Sequence, residues 1–212
     1  MDYHSHEPED PVVAVNDSFT TAQEKGDCYT SIGELHQARQ YYEQAAVLEP
    51  DDPRPYIGLG VVALQNDQID DADIAFRVAC RLDPTSSKAY TGLAMIERQR
   101  GNLRAAFDYY LKSLDNDADN LTALLGLFQT SCQMGSFAKV IHYLEIYLHT
   151  HPQDTSVMFS LAALYVKDGF LENAKQLLSN LIRLDPNNTD AVNLLEEIDH
   201  NLARVISTRK TA

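Results

Sequence analysis

Four prolines set the frame for this chain. The segments VLEP (47–50), RLDP (81–84), HTHP (149–152) and RLDP (183–186) end on Pro50, Pro84, Pro152 and Pro186, spaced by 34, 68 and 34 residues. Ala118 occupies the vacant phase, and five units follow without insertion or deletion: 19–52, 53–86, 87–120, 121–154 and 155–188. A constant period of this length is the mark of a stacked array, in which each unit buries its apolar face only against its neighbours. Other columns keep the same register. The eighth place carries Gly26, Gly60, Ala94, Phe128 and Ala162, and the fifteenth Gly33, Asp67, Gly101, Gly135 and Gly169. The twentieth carries Ala38, Ala72, Ala106, Val140 and Ala174, and the twenty-fourth Tyr42, Phe76, Tyr110, Leu144 and Leu178.

Each unit divides into two amphipathic stretches broken near a glycine or aspartate. In the second unit Tyr56, Leu59, Gly60 and Ala63, then Ile69, Ala72, Phe76 and Ala79, follow the three- and four-residue spacing of a helix face. Small residues at the eighth and twentieth places let paired helices approach. The aromatic at the twenty-fourth fills the gap against the neighbouring unit, and proline ends the second helix because the residue before it avoids α geometry. This small–small–aromatic–proline pattern resembles the tetratricopeptide repeat family over about four-fifths of the chain. The resemblance implies an all-α fold, a right-handed superhelical solenoid of antiparallel helix pairs. Residues 1–18 are expected to be a disordered acidic segment and 19–207 the solenoid, in which 189–207 (TDAVNLLEEIDHNLARVIS) is a capping helix. A loose tail of 208–212 follows. Val192, Leu195, Ile198, Leu202 and Val205 would cover the open end of the fifth unit, with Glu196, Glu197 and Asp199 nearer solvent. Bulky Phe128, Val140 and Tyr147 in the fourth unit, and Leu181 in the fifth, predict a wider helix separation or a shifted crossing angle there.

Charge and motifs narrow the function. Net charge is −14, which repels nucleic-acid backbones and anionic lipid, so neither is an expected partner. No apolar run reaches the ~18 residues that a membrane span needs, and the acidic, polar start lacks the features of a secretory signal. A cytoplasmic protein without membrane insertion is expected. Cys28, Cys80 and Cys132 form no CxxC pair and read as reduced thiols. Neither a phosphate-binding glycine loop nor a GxSxG elbow is present. His149 and His151 fall at a helix end and His4 and His6 in the amino-terminal segment, and the Asp and Asn pairs recur at turns, where they serve as caps. The sequence thus predicts no enzyme, cofactor or metal site.

What remains is a surface. The resemblance implies a concave groove, lined by the first helix of each unit, that takes a partner protein segment. The register assigns to it Arg54, Ile57, Gly58 and Val61, then Lys88, Gly92, Met95 and Arg98. Leu125, Gly126 and Gln129 follow from the fourth unit, and Phe159 and Lys167 from the fifth. Neighbouring places add Leu64, Gln65, Thr91 and Thr122. Gly58, Gly92 and Gly126 recur at the sixth place, although glycine in a helix costs roughly 0.5–1 kcal/mol relative to alanine. Two readings stand side by side: the missing side chains hollow a trough for a ligand, or the glycines are a relic of duplication. In the second to fifth units the groove places hold the cations Arg54, Lys88, Arg98 and Lys167 and no acid, which suggests an acidic or carboxylate-bearing segment as partner. The family's carboxylate clamp is absent, since Asp27 and Gly58 stand where it requires asparagines. The expected function is a non-catalytic protein–protein interaction adaptor. The alternative is a self-assembling scaffold, in which one molecule's terminus docks in the groove of the next.

Overall fold

The computed structural model describes the backbone of residues 11–210 and the side chains of residues 18–200. Among the described residues there are eleven helices and no strand: α1 (Pro11–Ser31), α2 (Leu35–Leu48), α3 (Pro53–Gln65), α4 (Ile69–Leu82), α5 (Ser87–Gln99), α6 (Leu103–Asn116), α7 (Leu121–Met134), α8 (Ala138–Thr150), α9 (Thr155–Lys167), α10 (Leu171–Leu184) and α11 (Thr189–Lys210). The fold is all-α. The helix pairs coincide with the thirty-four-residue units, and α11 is the single helix expected after the fifth. Two compact units divide the chain after Gly126.

The repeat columns account for the punctuation. First helices start on a cap at the last place of the preceding unit. Asp52 accepts from Arg54 N, Ser86 from Ala89 N, Asn120 from Ala123 N, Asp154 from Ser156 N and Val157 N, and Asn188 from Ala191 N. A side-chain oxygen there satisfies amides that the first turn leaves unpaired. First helices end through the fifteenth place, where Gly33, Gly101, Gly135 and Gly169 have φ of 79°, 81°, 69° and 84°. Asp67, with φ 58°, is the one non-glycine in this left-handed geometry among the described residues. The following N–H then bonds a carbonyl five residues back, as from Gln68 to Ala63 and from Asn102 to Glu97. Second helices end on an extended residue, such as Asp83 (φ −130°) before Pro84 and Asp185 (φ −131°) before Pro186.

The core follows the remaining columns. Ala38, Ala72, Ala106, Val140 and Ala174 are fully buried. Tyr42, Phe76, Tyr110, Leu144 and Leu178 are buried at the twenty-fourth place. Within the first unit, α3 packs on α4, on α2, and on the first helices α1 and α5 at either side. Within the second, α11 packs on α10 and α9, with Ala191 and Ile198 buried and Val192 and Leu195 half-buried. Glu196, Glu197 and Asp199 are exposed, and Asp199 pairs with Lys175. The side chains of Leu202 and Val205 lie outside the described residues.

Two boundaries differ from the sequence expectation. Helix α1 begins at Pro11, so 11–18 belong to a helix and not to a disordered segment; residues 1–10 lie outside the described residues. Helix α11 continues to Lys210, through the start of the expected loose tail, and 211–212 are not described.

Candidate functional site

Three adjoining cavities follow the first helices of the first unit. One, of about 490 Å³, lies between α3 and α5. Ile57, Val61 and Leu64 form one wall and Thr91, Gly92 and Met95 the other, with Lys88, Asp117 and Asn120 at its edges. A second, of about 500 Å³, is shared between α1 and α3 and includes Gln23, Glu24, Asp27, Arg54 and Gly58. Ile57, Val61 and Lys88 belong to both. A third, of about 290 Å³, is lined by Leu64, Met95, Arg98 and Gln99. The shared walls make them one groove, and eight of the register's residues, from Arg54 to Arg98, line it.

The floor of this groove comes from the other layer of helices. Phe76 of α4 lines the first cavity and Tyr42 of α2 the second. The glycines explain how rings from behind reach the front. A Cβ built on Gly92 would stand closer than 3.0 Å to three Phe76 ring atoms. Gly58 stands in the same relation to Tyr42, and Gly126 to Tyr110. From the other side, Gly26 closes on Tyr42 and Gly60 on Phe76. Tyr42 and Phe76 thus each sit in a slot between two first helices, and the slot exists because no side chain occupies it, while Tyr110 meets such a vacancy on one side, at Gly126. This corrects the open-trough reading of Gly58, Gly92 and Gly126. All three are buried, and the volume they vacate is filled by the aromatic of the preceding repeat. They are packing positions that also carry a floor of aromatic side chains.

The ends of the rings differ in chemistry. The Tyr42 hydroxyl donates to Asp27 Oδ1 at 2.8 Å and lies 3.0 Å from Thr30 Oγ1. Burial first, and the Asp27 carboxylate with it, push the Tyr42 phenol well above its ordinary pKa, with the Thr30 contact opposing. Tyr110 is fully buried and its phenol is raised by burial, partly offset by the Arg98 guanidinium. Phe76 leaves the middle of the floor apolar. Below the first cavity lies a polar knot that the repeat pattern did not reveal. Ser87 Oγ and Thr91 Oγ1 each lie 2.8 Å from Ser113 Oγ, and Asn120 Nδ2 donates to Ser87 Oγ at 2.8 Å and Thr91 Oγ1 at 3.1 Å. Asn120 Oδ1 caps α7. These groups satisfy one another, so the knot fixes α5, α6 and the start of α7.

Of the four expected cations, Arg54, Lys88 and Arg98 line these cavities. Arg54 is tied to Asp52, with Nη2 2.7 Å from Oδ2, and its guanidinium lies 4.8 Å from the centre of the Phe19 ring. That pairing holds the Asp52 carboxyl below its ordinary range. Lys167 belongs to the second unit, where it lies over the Phe137 ring at 4.3 Å. Glu24, Asp27 and Asp117 line the same cavities as Lys88. The acids were missed because they come from the first repeat and from a turn, outside the places compared. Among the other expected groove residues, Leu125 is 57% exposed and Gly126 is buried. Gln129 is exposed and Phe159 half-buried, and both belong to the second unit. No group of three or more His, Cys, Asp or Glu suited to a metal ion occurs among the described residues. Nor is any described helix long and apolar enough to cross a membrane.

A thirty-four-residue helix pair, a left-handed turn at the fifteenth place and a ring slotted between successive first helices define a helical-repeat protein of the stacked kind. The comparisons give that class its name. Residues 29–87 and 87–120 match two tetratricopeptide repeat models, so that part of the chain is built of tetratricopeptide repeats. Cellulose synthase operon protein C of Pseudomonas fluorescens is 27% identical over 172 residues, covering 76% of this chain; the chain spans only 13% of that relative's length. Among solved structures, pilF of Pseudomonas aeruginosa superposes with a TM-score of 0.68 at 19% identity, over 94% of this chain and 89% of its own. YrrB, described as a tetratricopeptide repeat protein with an unusual peptide-binding site, gives 0.59 at 17% identity, over 84% and 97%.

Proposed function

We propose that the chain is a non-catalytic adaptor that holds an extended segment of a partner protein in the groove of α1, α3 and α5. The observation that carries this reading is the cavity of about 490 Å³ floored by Phe76 and walled by Ile57, Val61, Leu64 and Met95. Burial of one bulky apolar side chain there contributes roughly 1.5–3 kcal/mol, enough to anchor a segment whose remaining contacts lie along the rim. The surrounding amides and Lys88 supply orientation. The peptide-binding site named for YrrB supports a similar use of the fold.

Short peptides selected from a random displayed library on the full chain provide the probe. Met95→Arg places a long cation across the cavity mouth from a half-buried position. The selected peptide should lose at least about tenfold in affinity to this variant while the thermal midpoint stays near that of the wild type, a change of about 1.4 kcal/mol or more. Undiminished binding would place the segment elsewhere. Light scattering over a concentration series reads the scaffold alternative: mass rising with concentration, and falling again on addition of the peptide, would favour self-docking.

A further inference from the structure

The wall that α1 presents to the groove is rich in acceptors and short of donors. Glu24 and Asp27 both line the second cavity and are exposed. Asp27 Oδ1 accepts from the Tyr42 hydroxyl and from Gln23 Nε2 at 3.2 Å, whereas Oδ2 has no hydrogen-bond partner among the described residues. Gln23 stands beside it on the same cavity. It is 8% exposed, and its Oε1 is buried with no donor. Buried amide oxygens nearly always find a partner, so an orphan one on a cavity wall marks where a donor is missing. Local cations do not fill that need. Arg54 is committed to Asp52 and to the Phe19 ring, and Lys88, which comes from α5 to the same cavity, makes no ion pair with Glu24 or Asp27.

We propose that this wall receives a cationic side chain, an arginine guanidinium or a lysine ammonium, from the segment held in the groove. The inference rests on the groove reading above and adds the chemistry and direction of the occupant. Carboxylate Oδ2 of Asp27 and the carboxylate of Glu24 accept the charged N–H groups, and the Gln23 amide lies alongside as a further acceptor. Lys88 has no ion-pair partner among the described residues and faces the opposite flank of the segment. The occupant therefore runs with its cationic residue toward α1, its bulky apolar residue over Phe76 and any carboxylate toward α5. The sequence suggested an acidic or carboxylate-bearing segment; the α1 wall adds a cationic residue to it.

The same library selection tests it. Peptides bound by the full chain should be enriched in arginine or lysine beside an apolar residue. In a selected peptide, replacing that arginine by its neutral isostere citrulline should weaken binding about tenfold, the scale of a charge-assisted hydrogen bond. On the Glu24→Gln, Asp27→Asn double variant the same replacement should change affinity less than twofold. Asp27→Asn keeps the Oδ1 acceptor for Tyr42, and Glu24→Gln alone serves if the double variant melts early. A net charge of −14 attracts any cationic peptide, so Asp71→Asn with Asp108→Asn, both on second helices, is the control for bulk charge. The inference is overturned if selected peptides lack arginine and lysine. It is equally overturned if citrulline costs as much on the cavity variant as on wild type, or if the control variant abolishes the effect as fully. Any of these with Met95→Arg still blocking the peptide leaves the groove reading standing. Recovery of no binding peptide, or binding indifferent to Met95→Arg, overturns both.

Discussion

The two compact units distribute the same volume differently. In the first, the twenty-fourth place holds the rings of Tyr42, Phe76 and Tyr110, and the twenty-seventh holds Ala45, Ala79 and Ser113, all buried. In the second, the twenty-fourth place shrinks to Leu144 and Leu178 while the twenty-seventh grows to Tyr147 and Leu181, again buried. Glycine disappears with the ring: the second unit has Phe128 and Ala162 at the eighth place and Ser160 at the sixth. Core volume is conserved along the repeat while its location moves by one helical turn. A ring needs a slot between first helices, and a slot needs glycine. Leucine needs neither. The difference teaches that the helix-breaking glycines are the second half of an aromatic contact and not an independent feature.

The largest expected effect breaks that contact outright. Phe76→Ala removes a ring held between Gly60 and Gly92 and should cost about 3–5 kcal/mol. Leu178→Ala in the second unit should cost less, about 2–3 kcal/mol, since fewer atoms leave. Urea denaturation of each variant reads the pair, and equal costs would remove the distinction between the two units. Next comes Gly92→Leu. Strain against Phe76 should exceed the roughly 1 kcal/mol gained in helix propensity, for a net loss of about 1–3 kcal/mol. A variant as stable as wild type would mean that the space beside Gly92 is open after all.

A smaller effect separates turn glycines from slot glycines. Gly101 has φ 81°, so Gly101→Ala should cost about 1–2 kcal/mol through the backbone alone, in whichever unit such a glycine stands. Gly169→Ala, with φ 84°, should match it, and a marked difference between the two would tie the turns to the packing pattern. The smallest effect concerns rates. Burial pushes the Cys80 thiol up to about 11, whereas Cys28 and Cys132 are exposed. At pH 8 the thiolate fraction of Cys80 is then on the order of a thousandth. Iodoacetamide should label Cys28 and Cys132 first, with Cys80 following only on unfolding or at high pH. Mass spectrometry of timed samples checks the order.

Period and columns were legible in the sequence because each column repeats one steric demand: alanine where helices touch, glycine where φ turns positive, proline where a helix stops. Asp67 shows the limit of such a column, since an aspartate meets the left-handed demand and still keeps the turn. The slot was not legible. Phase shows that Gly58, Gly92 and Gly126 share a face, but not that a ring from the preceding repeat occupies it. The start of α1 was hidden as well, because PVVAVNDS carries no repeat register before residue 19. The acceptor wall escaped notice for a related reason. Gln23, Glu24 and Asp27 lie in the first repeat, and the charge comparison covered only the later ones.

The central claim is that glycine and ring form one device, and a double-mutant cycle at Gly92 and Phe76 tests it most directly. Gly92→Ala alone should destabilise by about 1–2 kcal/mol, and Phe76→Leu alone by about 1–1.5 kcal/mol. Together they recreate the aliphatic arrangement of the second unit, in which leucine leaves room for a β-carbon. The double variant should therefore be more stable than the sum of the single losses by about 1 kcal/mol or more, measured by urea denaturation. Additivity within about 0.3–0.5 kcal/mol would contradict the account, because residues that share a slot cannot respond independently.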